Sequence, residues 1–137
     1  MIRPLVDISF ALPPRELITN ILDLPAPPSV NRTRRIDWKM IPKFKGWTKQ
    51  ADALVLAARS RTSGNPRLKP ISGQFELKIV LSAAHTRIDL DNGIKWTIDY
   101  LRRIELIVDD SPKYLRRLVV EWGMAPTGCR VTIQELV

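Results

Sequence analysis

The spacing of apolar and polar residues along the chain predicts four β-strands and two helices. Segment 74–83 has the clearest strand pattern, because Phe75, Leu77 and Ile79 alternate with polar residues and would share one face of a sheet. Two segments place apolar residues on one helical face: Ala51, Leu54, Val55 and Ala58 in the first, and Leu90, Ile94, Ile98 (or Thr97), Leu101 and Ile104 in the second. The predicted elements are a strand at 17–24, a helix at 47–59, a strand at 74–83, a helix at 90–104 and strands at 114–122 and 129–136.

This order of elements predicts one α/β or α+β domain, in which a small mixed sheet of about four strands packs with two main helices. The pattern leaves the connectivity of the strands open. Pro4, Pro13 and Pro14 oppose regular structure near the start of the chain. We therefore assign residues 1–16 to an N-terminal extension and residues 17–137 to the domain.

Cysteine usage and hydropathy indicate the compartment. The single cysteine, Cys129, cannot form an intrachain disulfide, which indicates a reducing environment. It lies in an apolar run, so a buried thiol is favoured over a catalytic one. No window approaches the ~20 apolar residues of a membrane span, and the first residues lack a secretory pattern. We expect a cytoplasmic protein without a membrane partner.

The net charge of +8 is distributed unevenly. Segment 31–69 holds eleven Lys or Arg and two acidic residues, for a net charge of +9, whereas the rest of the chain sums to −1. A basic segment of this size favours a polyanionic partner such as nucleic acid over a merely solvated surface. Trp38, Phe44 and Trp47 lie among the basic residues, where they would either stack on unpaired bases or pack in the core.

Five of the nine aspartates fall between residues 89 and 110. Asp89 and Asp91 point the same way if the segment is extended, and Asp91 would make a good N-cap for the helix that follows. Magnesium prefers oxygen ligands and usually takes a few carboxylates together with water and phosphate. Asp109 or Asp110 could supply a third carboxylate, and Lys95 would place a cation near a reacting phosphate.

The same residues also fit a purely structural interpretation. An Asp-x-Asp pair often caps a turn, and Asp109-Asp110-Ser111-Pro112 has a common turn composition. Lys95 would then be a surface partner of Asp91 or Asp99, each of which lies four residues away on the helix. Spacing alone leaves both interpretations open.

Taken together, the motifs resemble those of the RusA family of Holliday-junction resolvases. The resemblance covers residues 18–136, and its most specific part is the Asp-x-Asp-Asn-x-x-Lys core with a downstream Asp-Asp pair. It rests on Leu24-Pro25-Ala26-Pro27-Pro28-Ser29-Val30-Asn31, on Asp89-Leu90-Asp91-Asn92 with Lys95, on Asp99 with Leu101, and on Asp109-Asp110. Segment 36–47 and residues 1–16 depart from the family pattern.

The resemblance implies a homodimeric, magnesium-dependent endonuclease that binds four-way DNA junctions and nicks two opposed strands. It implies metal binding by Asp89, Asp91 and Asp110, with Asp109 as a further candidate, and an essential role for Lys95. Manganese would be expected to substitute for magnesium, and no small-molecule cofactor is expected. Such a protein would be bacterial or phage-encoded.

We expect the basic segment and the loop before Asp89 to contact branched DNA. The residues expected to do so are Asn31, Arg32, Arg34, Arg35, Lys39, Lys43, Lys45 and Arg87. Two other functions remain open: a non-catalytic, basic nucleic-acid-binding module, and a metal-dependent phosphodiesterase that acts on flaps or RNA.

Overall fold

The computed structural model describes residues 15–29, 42–60 and 67–137. Within these ranges it contains four strands and two helices, in the order predicted from the sequence. The elements are β1 (Thr19–Pro25), α1 (Pro42–Arg59), β2 (Phe75–Leu81), α2 (Ile94–Arg103), β3 (Leu115–Trp122) and β4 (Gly128–Glu135).

The four strands form one mixed sheet in the order β1-β4-β2-β3. Strand β4 runs antiparallel to both β1 and β2, whereas β3 runs parallel to β2. Helix α2 connects the parallel strands, because a parallel pair needs a crossover rather than a tight turn. The molecule is a small single-domain α+β fold, which confirms the predicted class and settles the strand order.

The hydrophobic core lies between one face of the sheet and the two helices. Alternate strand residues such as Leu22, Leu77 and Val131 are almost completely buried there. Helix α1 contributes the predicted residues Ala51, Val55 and Ala58 and also two aromatic residues nearer its start, Phe44 and Trp47. Burial of each large apolar side chain stabilises the fold by roughly 1.5–3 kcal/mol.

Aromatic side chains join the two helices. Phe44 and Trp47 pack edge-to-face on Trp96 of α2, with ring centroids 4.6 Å and 5.6 Å apart. The Trp47 indole N–H donates a hydrogen bond to the carbonyl of Pro25 at 2.9 Å. Phe44 and Trp47 therefore pack in the core, which was one of the two roles considered for them. Trp38, the third aromatic residue considered for base stacking, lies outside the described residues.

Both helices begin elsewhere than the apolar periodicity predicted. Helix α1 begins at Pro42 rather than at residue 47, and proline is favoured in the first turn because the missing N–H has no intrahelical partner there. Helix α2 begins at Ile94 rather than at residue 90, and it buries Trp96 and Tyr100 as well as the predicted Ile98 and Leu101. The expected stripe missed these two aromatic residues.

The other face of the sheet is polar and carries ion pairs between neighbouring strands. Arg130 pairs with Asp23 at 2.8 Å, and Lys78 pairs with Glu121 at 3.0 Å. Arg117 lies 4.0 Å from Glu76. None of the helices in the described residues is long and apolar enough to cross a membrane.

Two residues of the predicted N-terminal extension, Arg15 and Glu16, are described. The Arg15 guanidinium donates two hydrogen bonds to the Glu135 carboxylate, at 2.8 Å and 2.6 Å. The Ile18 amide donates a third at 2.9 Å. These contacts lower the pKa of Glu135 to about 2. The chain is thus tied to β4 from residue 15 onward, and residues 1–14 lie outside the described residues.

The only cysteine of the chain is structural. Cys129 is completely buried in β4 and has no disulfide partner. Burial raises the pKa of its thiol to about 12, with a smaller contribution from Asp23. A thiol with this pKa is protonated and unreactive at neutral pH, as the sequence indicated.

Candidate functional site

The segment before α2 is a tight turn that presents two aspartates. The Asn92 amide donates a hydrogen bond to the carbonyl of Asp89 at 3.0 Å. Gly93 then occupies the N-cap position before α2 with φ 102°, and no side chain caps the helix. The prediction that Asp91 is the N-cap is therefore wrong. The left-handed glycine redirects the chain instead, so the Asp91 carboxylate is not used to satisfy the helix end.

The proline segment that ends β1 packs against this turn. A Cβ atom added to Gly93 would lie 3.0 Å from Cβ and Cγ of Pro27, so glycine is required both for its φ and for this close approach. Asn92 is buried, and its amide group donates a hydrogen bond to the Ser29 hydroxyl at 2.9 Å. This hydrogen bond joins the proline motif to the aspartate motif. The two motifs that carried the resemblance therefore meet in space, although the bonded residues are sixty-three positions apart.

Helix α1 begins beside the same segment. The Lys43 ammonium donates a hydrogen bond to the Ser29 carbonyl at 3.0 Å. Ser29 therefore contacts the start of α1 through its carbonyl and the aspartate turn through its hydroxyl. Of the predicted DNA-binding residues, Lys43 is positioned next to the turn by this contact.

The Asp89 and Asp91 carboxylates are solvent-exposed. Among the described residues neither carboxylate has an ion-pair partner. Arg87, which was predicted to contact DNA, is exposed in the same loop two residues before Asp89. The turn thus offers two carboxylates that no cation of residues 15–29, 42–60 or 67–137 neutralises, on a backbone fixed by Asn92 and Gly93.

The second acidic pair, Asp109 and Asp110, is held against α2 by cations. The Lys95 ammonium lies 3.4 Å from Asp110 Oδ2 and 3.0 Å from Asp99 Oδ1. Arg102 lies 3.8 Å from Asp99 and 3.6 Å from Asp109. We call these five alternating charges, Asp110, Lys95, Asp99, Arg102 and Asp109, the charge network.

Two pKa values reflect the charge network. The hydrogen bond to Asp99 raises the pKa of Lys95, and the charges of Asp99 and Asp110 add to this effect against partial burial. The Asp110 amide donates a hydrogen bond to Asp109 Oδ1 at 2.9 Å and lowers the pKa of Asp109, to which the positive charge of Arg102 also contributes. Both groups are therefore ionised at neutral pH.

The segment after α2 explains why Asp110 reaches Lys95. Glu105 adopts a positive φ of 65° just beyond the helix. Leu106 and Ile107 are then buried in the core, and the Leu106 carbonyl accepts a hydrogen bond from the Ile71 amide at 3.0 Å. Anchored in this way, the chain passes Asp109 and Asp110 and turns at Ser111, whose carbonyl accepts two backbone hydrogen bonds before the chain enters β3.

Two adjoining clefts run beside the charge network. The first has a volume of about 470 Å³ and is lined by Lys95, Trp96, Asp99, Tyr100, Arg102, Arg103 and Val108. The second, of about 480 Å³, is lined by Lys45, Thr48, Lys49, Asp52 and Arg103. Arg103 lines both clefts: the first follows α2 and the segment after it, and the second lies between α1 and α2.

The second cleft is basic. Among the described residues, Lys45, Lys49 and Arg103 have no ion-pair partner, whereas Asp52 accepts a hydrogen bond from the Tyr100 hydroxyl at 2.7 Å. Burial and this carboxylate raise the pKa of Tyr100, which therefore stays protonated. Lys45 was expected to contact DNA, but Arg103 was missed because its charge lies outside the basic segment.

The predicted site residues are thus brought together in part. Lys95 contacts Asp110, and Asp89 and Asp91 lie in the turn that leads into the same helix. Within residues 15–29, 42–60 and 67–137, no three Asp, Glu, His or Cys side chains are arranged to hold a metal ion. Five predicted DNA-binding residues lie outside the described residues: Asn31, Arg32, Arg34, Arg35 and Lys39.

Comparison with known proteins adds no further assignment. No protein-family model matches the chain, and no curated protein matches it at a significant level.

Proposed function

We propose that this chain is a magnesium-dependent endonuclease that resolves four-way DNA junctions as a homodimer, by nicking two opposed strands. The observation that carries the proposal is the contact between Lys95 and Asp110, whose charged groups lie 3.4 Å apart across fifteen residues of sequence. This contact joins the second acidic pair to α2, the helix that follows the turn with Asp89 and Asp91. Its residues are those that the family resemblance assigned to catalysis.

The carboxylates at this helix fit the ligands that magnesium requires. Asp89 and Asp91 are exposed and form no ion pair within the described part of the chain, and Mg²⁺ commonly uses one or two carboxylates while water and phosphate complete its octahedron. Asp110 is the third candidate ligand, with Asp109 beside it. When bound, magnesium or manganese would polarise the phosphodiester and lower the pKa of an attacking water.

The protein's own residues would position the reacting groups. The Lys95 ammonium would offset the negative charge that develops on the phosphate during hydrolysis. Asp99 holds this ammonium at 3.0 Å, and Arg102 holds Asp99 in turn. Asn92 and Ser29 fix the backbone of the aspartate turn. The expected products carry a 5′-phosphate and a 3′-hydroxyl.

DNA would be bound by cations on both sides of the aspartate turn. Arg87 and Lys43 lie near the turn, and Lys45, Lys49 and Arg103 line the cleft between α1 and α2. Each phosphate neutralised steepens the dependence of affinity on salt, with a slope of about −0.9 per contact on duplex DNA. Lys45→Ala and Arg103→Ala should each reduce that slope by about one, whereas exposed Gln50→Ala in the same helix as Lys45 should not.

One observation favours a second candidate, a basic nucleic-acid-binding module without catalytic activity. Lys95 already neutralises Asp110, and the described residues contain no three-carboxylate group arranged to hold a metal ion. In that case the charge network would only stabilise the segment between α2 and β3. Such a module would bind DNA or RNA equally well with and without magnesium and would leave every strand intact.

A panel of labelled substrates separates the candidates. Four-way junction, Y-fork, flap, duplex, single strand and RNA are each incubated with the full chain in magnesium, in manganese and in chelator. The proposal predicts paired nicks in the four-way junction, dependent on a divalent ion, together with little cleavage of duplex. Preferential cleavage of flaps or RNA would instead identify a different phosphodiesterase, and binding without cleavage would identify the module.

A further inference from the structure

Strand β3 forms an edge of the sheet and exposes apolar side chains. It pairs with β2 on one side only, and no segment of the described residues covers its other side. Leu118 and Trp122 are 41% and 44% exposed, and Met124 just beyond the strand is 84% exposed. Edge strands of this length are usually protected against association, and exposed apolar groups that cluster on one indicate an interface.

The free edge has backbone groups ready for pairing. The Gly123 amide donates a hydrogen bond to the carbonyl of Leu81 in β2. In a parallel ladder alternate residues direct both backbone groups to the same neighbour. The backbone groups of Gly123 and of every second residue before it therefore point to β2. Those of Leu118, Val120 and Trp122 point to the open edge.

We propose that β3 pairs antiparallel with β3 of a second copy of this chain, with the two Val119 residues facing each other at the two-fold axis. In this register Leu118 lies opposite Val120 of the second copy, and both belong to the set whose backbone groups face outward. These are the hydrogen-bonded pairs of an antiparallel ladder, and the Val119 pair between them is non-hydrogen-bonded.

Charge complementarity specifies this register. Arg117 comes to lie opposite Glu121 of the second copy, and the symmetry repeats this pair on the other side of the axis. Opposite charges at facing positions on one sheet face stabilise the pairing. A shift of two residues in either direction would place Arg117 opposite Val119 or Gly123, so both charge pairs would be lost.

The ion pairs within each copy extend this pattern. Arg117 lies 4.0 Å from Glu76, and Glu121 lies 3.0 Å from Lys78. The joined sheet would therefore carry alternating negative and positive charges across the boundary. Both charges of β3 lie on the polar face, because Arg117 is aligned with Glu76 and Glu121 with Val80. The apolar pair of Leu118 and Val120 lies on the face that carries the helices.

The pairing would also fix how the candidate sites of the two copies are arranged. This consequence, unlike the pairing itself, rests on the proposed function. A two-fold axis perpendicular to the joined sheet keeps the helices of both copies on the same face. Asp110 precedes β3 in each copy, and the first strand residue, Leu115, lies roughly 13 Å along the strand from the axis. Both sites would then face one branched DNA from the same side.

A charge swap tests the pairing in the full chain. Sedimentation equilibrium would measure the dimer dissociation constant of the wild type, Arg117→Glu, Glu121→Arg and the double variant. Each single variant should raise the constant by about tenfold or more, since it places like charges opposite each other at two symmetric positions. The double variant should return it to within about threefold of the wild type.

The rescue distinguishes contacts between copies from contacts within one copy. In the double variant the glutamate introduced at position 117 still faces Glu76, and the arginine introduced at position 121 still faces Lys78, so the pairs within a copy stay broken. Only a pairing between copies can then restore the dimer. Leu118→Lys supplies a second test that leaves the polar face unchanged, and it should weaken the dimer by a similar factor.

Other outcomes would overturn the inference. A dimer insensitive to all these variants would use another surface, and a chain that is monomeric at every concentration would have no such pairing. A monomer in which the Leu118 and Val120 amides resist hydrogen exchange would have its edge covered by its own chain. A β3 dimer that cleaves no DNA would preserve this inference while removing the proposed nuclease function.

Discussion

The two acidic pairs of this protein lie beside the same helix but in opposite electrostatic states. Asp89 and Asp91 are exposed and have no ion-pair partner among the described residues. Asp109 and Asp110 are partly buried, and Arg102 and Lys95 lie within 3.6 Å of their carboxylates. Within the part of the chain that the structure describes, only the second pair is neutralised by cations of the protein itself.

This difference indicates how the site would operate. A divalent ion would first meet the carboxylates of the turn, where no ammonium of the described residues competes with it. Recruiting Asp110 requires that its contact with Lys95 loosen, and the same movement would free the ammonium to approach a phosphate. The Lys95 side chain is 56% exposed, and ion pairs open to solvent are worth only about 0–1 kcal/mol, so this exchange costs little.

The largest expected effect comes from neutralising a proposed metal ligand. Asp89→Asn, Asp91→Asn and Asp110→Asn should each abolish junction cleavage, because loss of even an outer-shell partner commonly costs about 10–100-fold. Gel-shift affinity should be retained, since removal of negative charge does not weaken attraction to DNA. Glu16→Gln, an exposed carboxylate away from the site, is the matched control. Normal cleavage by all three variants would remove the site assignment.

Replacing Lys95 tests whether the charge network serves catalysis as well as holding Asp109 and Asp110 against α2. Lys95→Ala should slow the single-turnover cleavage rate by about a hundredfold, comparable to the loss of one preorganised charge-stabilising group. Binding of Mn²⁺ to the free protein should not weaken, because the ammonium that competes for Asp110 is gone. Lys45→Ala should instead weaken DNA binding with little change in rate. An unchanged rate in Lys95→Ala would contradict a catalytic role.

The backbone of the turn offers a third test, which is independent of activity. Gly93→Ala should destabilise the fold by about 1–2 kcal/mol, the cost of the left-handed conformation for a residue with a Cβ, with further crowding against Pro27. Gly46→Ala is the control, since a Cβ there meets nothing within 4 Å. It lies within α1 and should stabilise by about 0.5–1 kcal/mol. Urea unfolding measures both changes in the free energy of unfolding. Changes of the same sign in Gly93→Ala and Gly46→Ala would contradict this description of the turn.

Much of the fold was predictable because it depends on local pattern. The strand around Phe75 and the helix around Val55 follow from alternation and helical spacing. Helix α2 was placed too early because Leu90 continues its apolar stripe, whereas the turn that delays the helix depends on the positive φ of Gly93 and the approach of Pro27. The pairing of β1 with β4 was open because it joins distant parts of the chain.

The site was predictable in its residue types but not in its contacts. Carboxylate spacing and the resemblance selected Asp89, Asp91, Lys95 and Asp110 as candidates, and the structure brings Lys95 and Asp110 into contact. The Lys95–Asp110 contact depends on the buried anchor at Leu106, and the Asn92–Ser29 hydrogen bond depends on how the proline segment packs. Neither leaves a periodic signal in the sequence, because both are tertiary contacts.

The smallest expected effect is a titration. The Asp110 amide, assisted by Arg102, lowers the pKa of Asp109. A depressed folded pKa means that Asp109 contributes stability above its ordinary value near 3.9, and this contribution is lost as the pH falls through the folded value. Carboxyl NMR should show Asp109 titrating below that ordinary value, and Arg102→Gln should move its pKa upward. Titration at or above about 3.9 would contradict the contacts described.

The most direct test of the central claim is the binding of Mn²⁺ followed by amide NMR of the full chain without DNA. The account predicts that substoichiometric Mn²⁺ broadens the amides of residues 89–93 and 109–111 together, and that excess Mg²⁺ reverses the broadening. Broadening confined to one acidic pair, or absent from both, would contradict a single metal site formed by the two pairs.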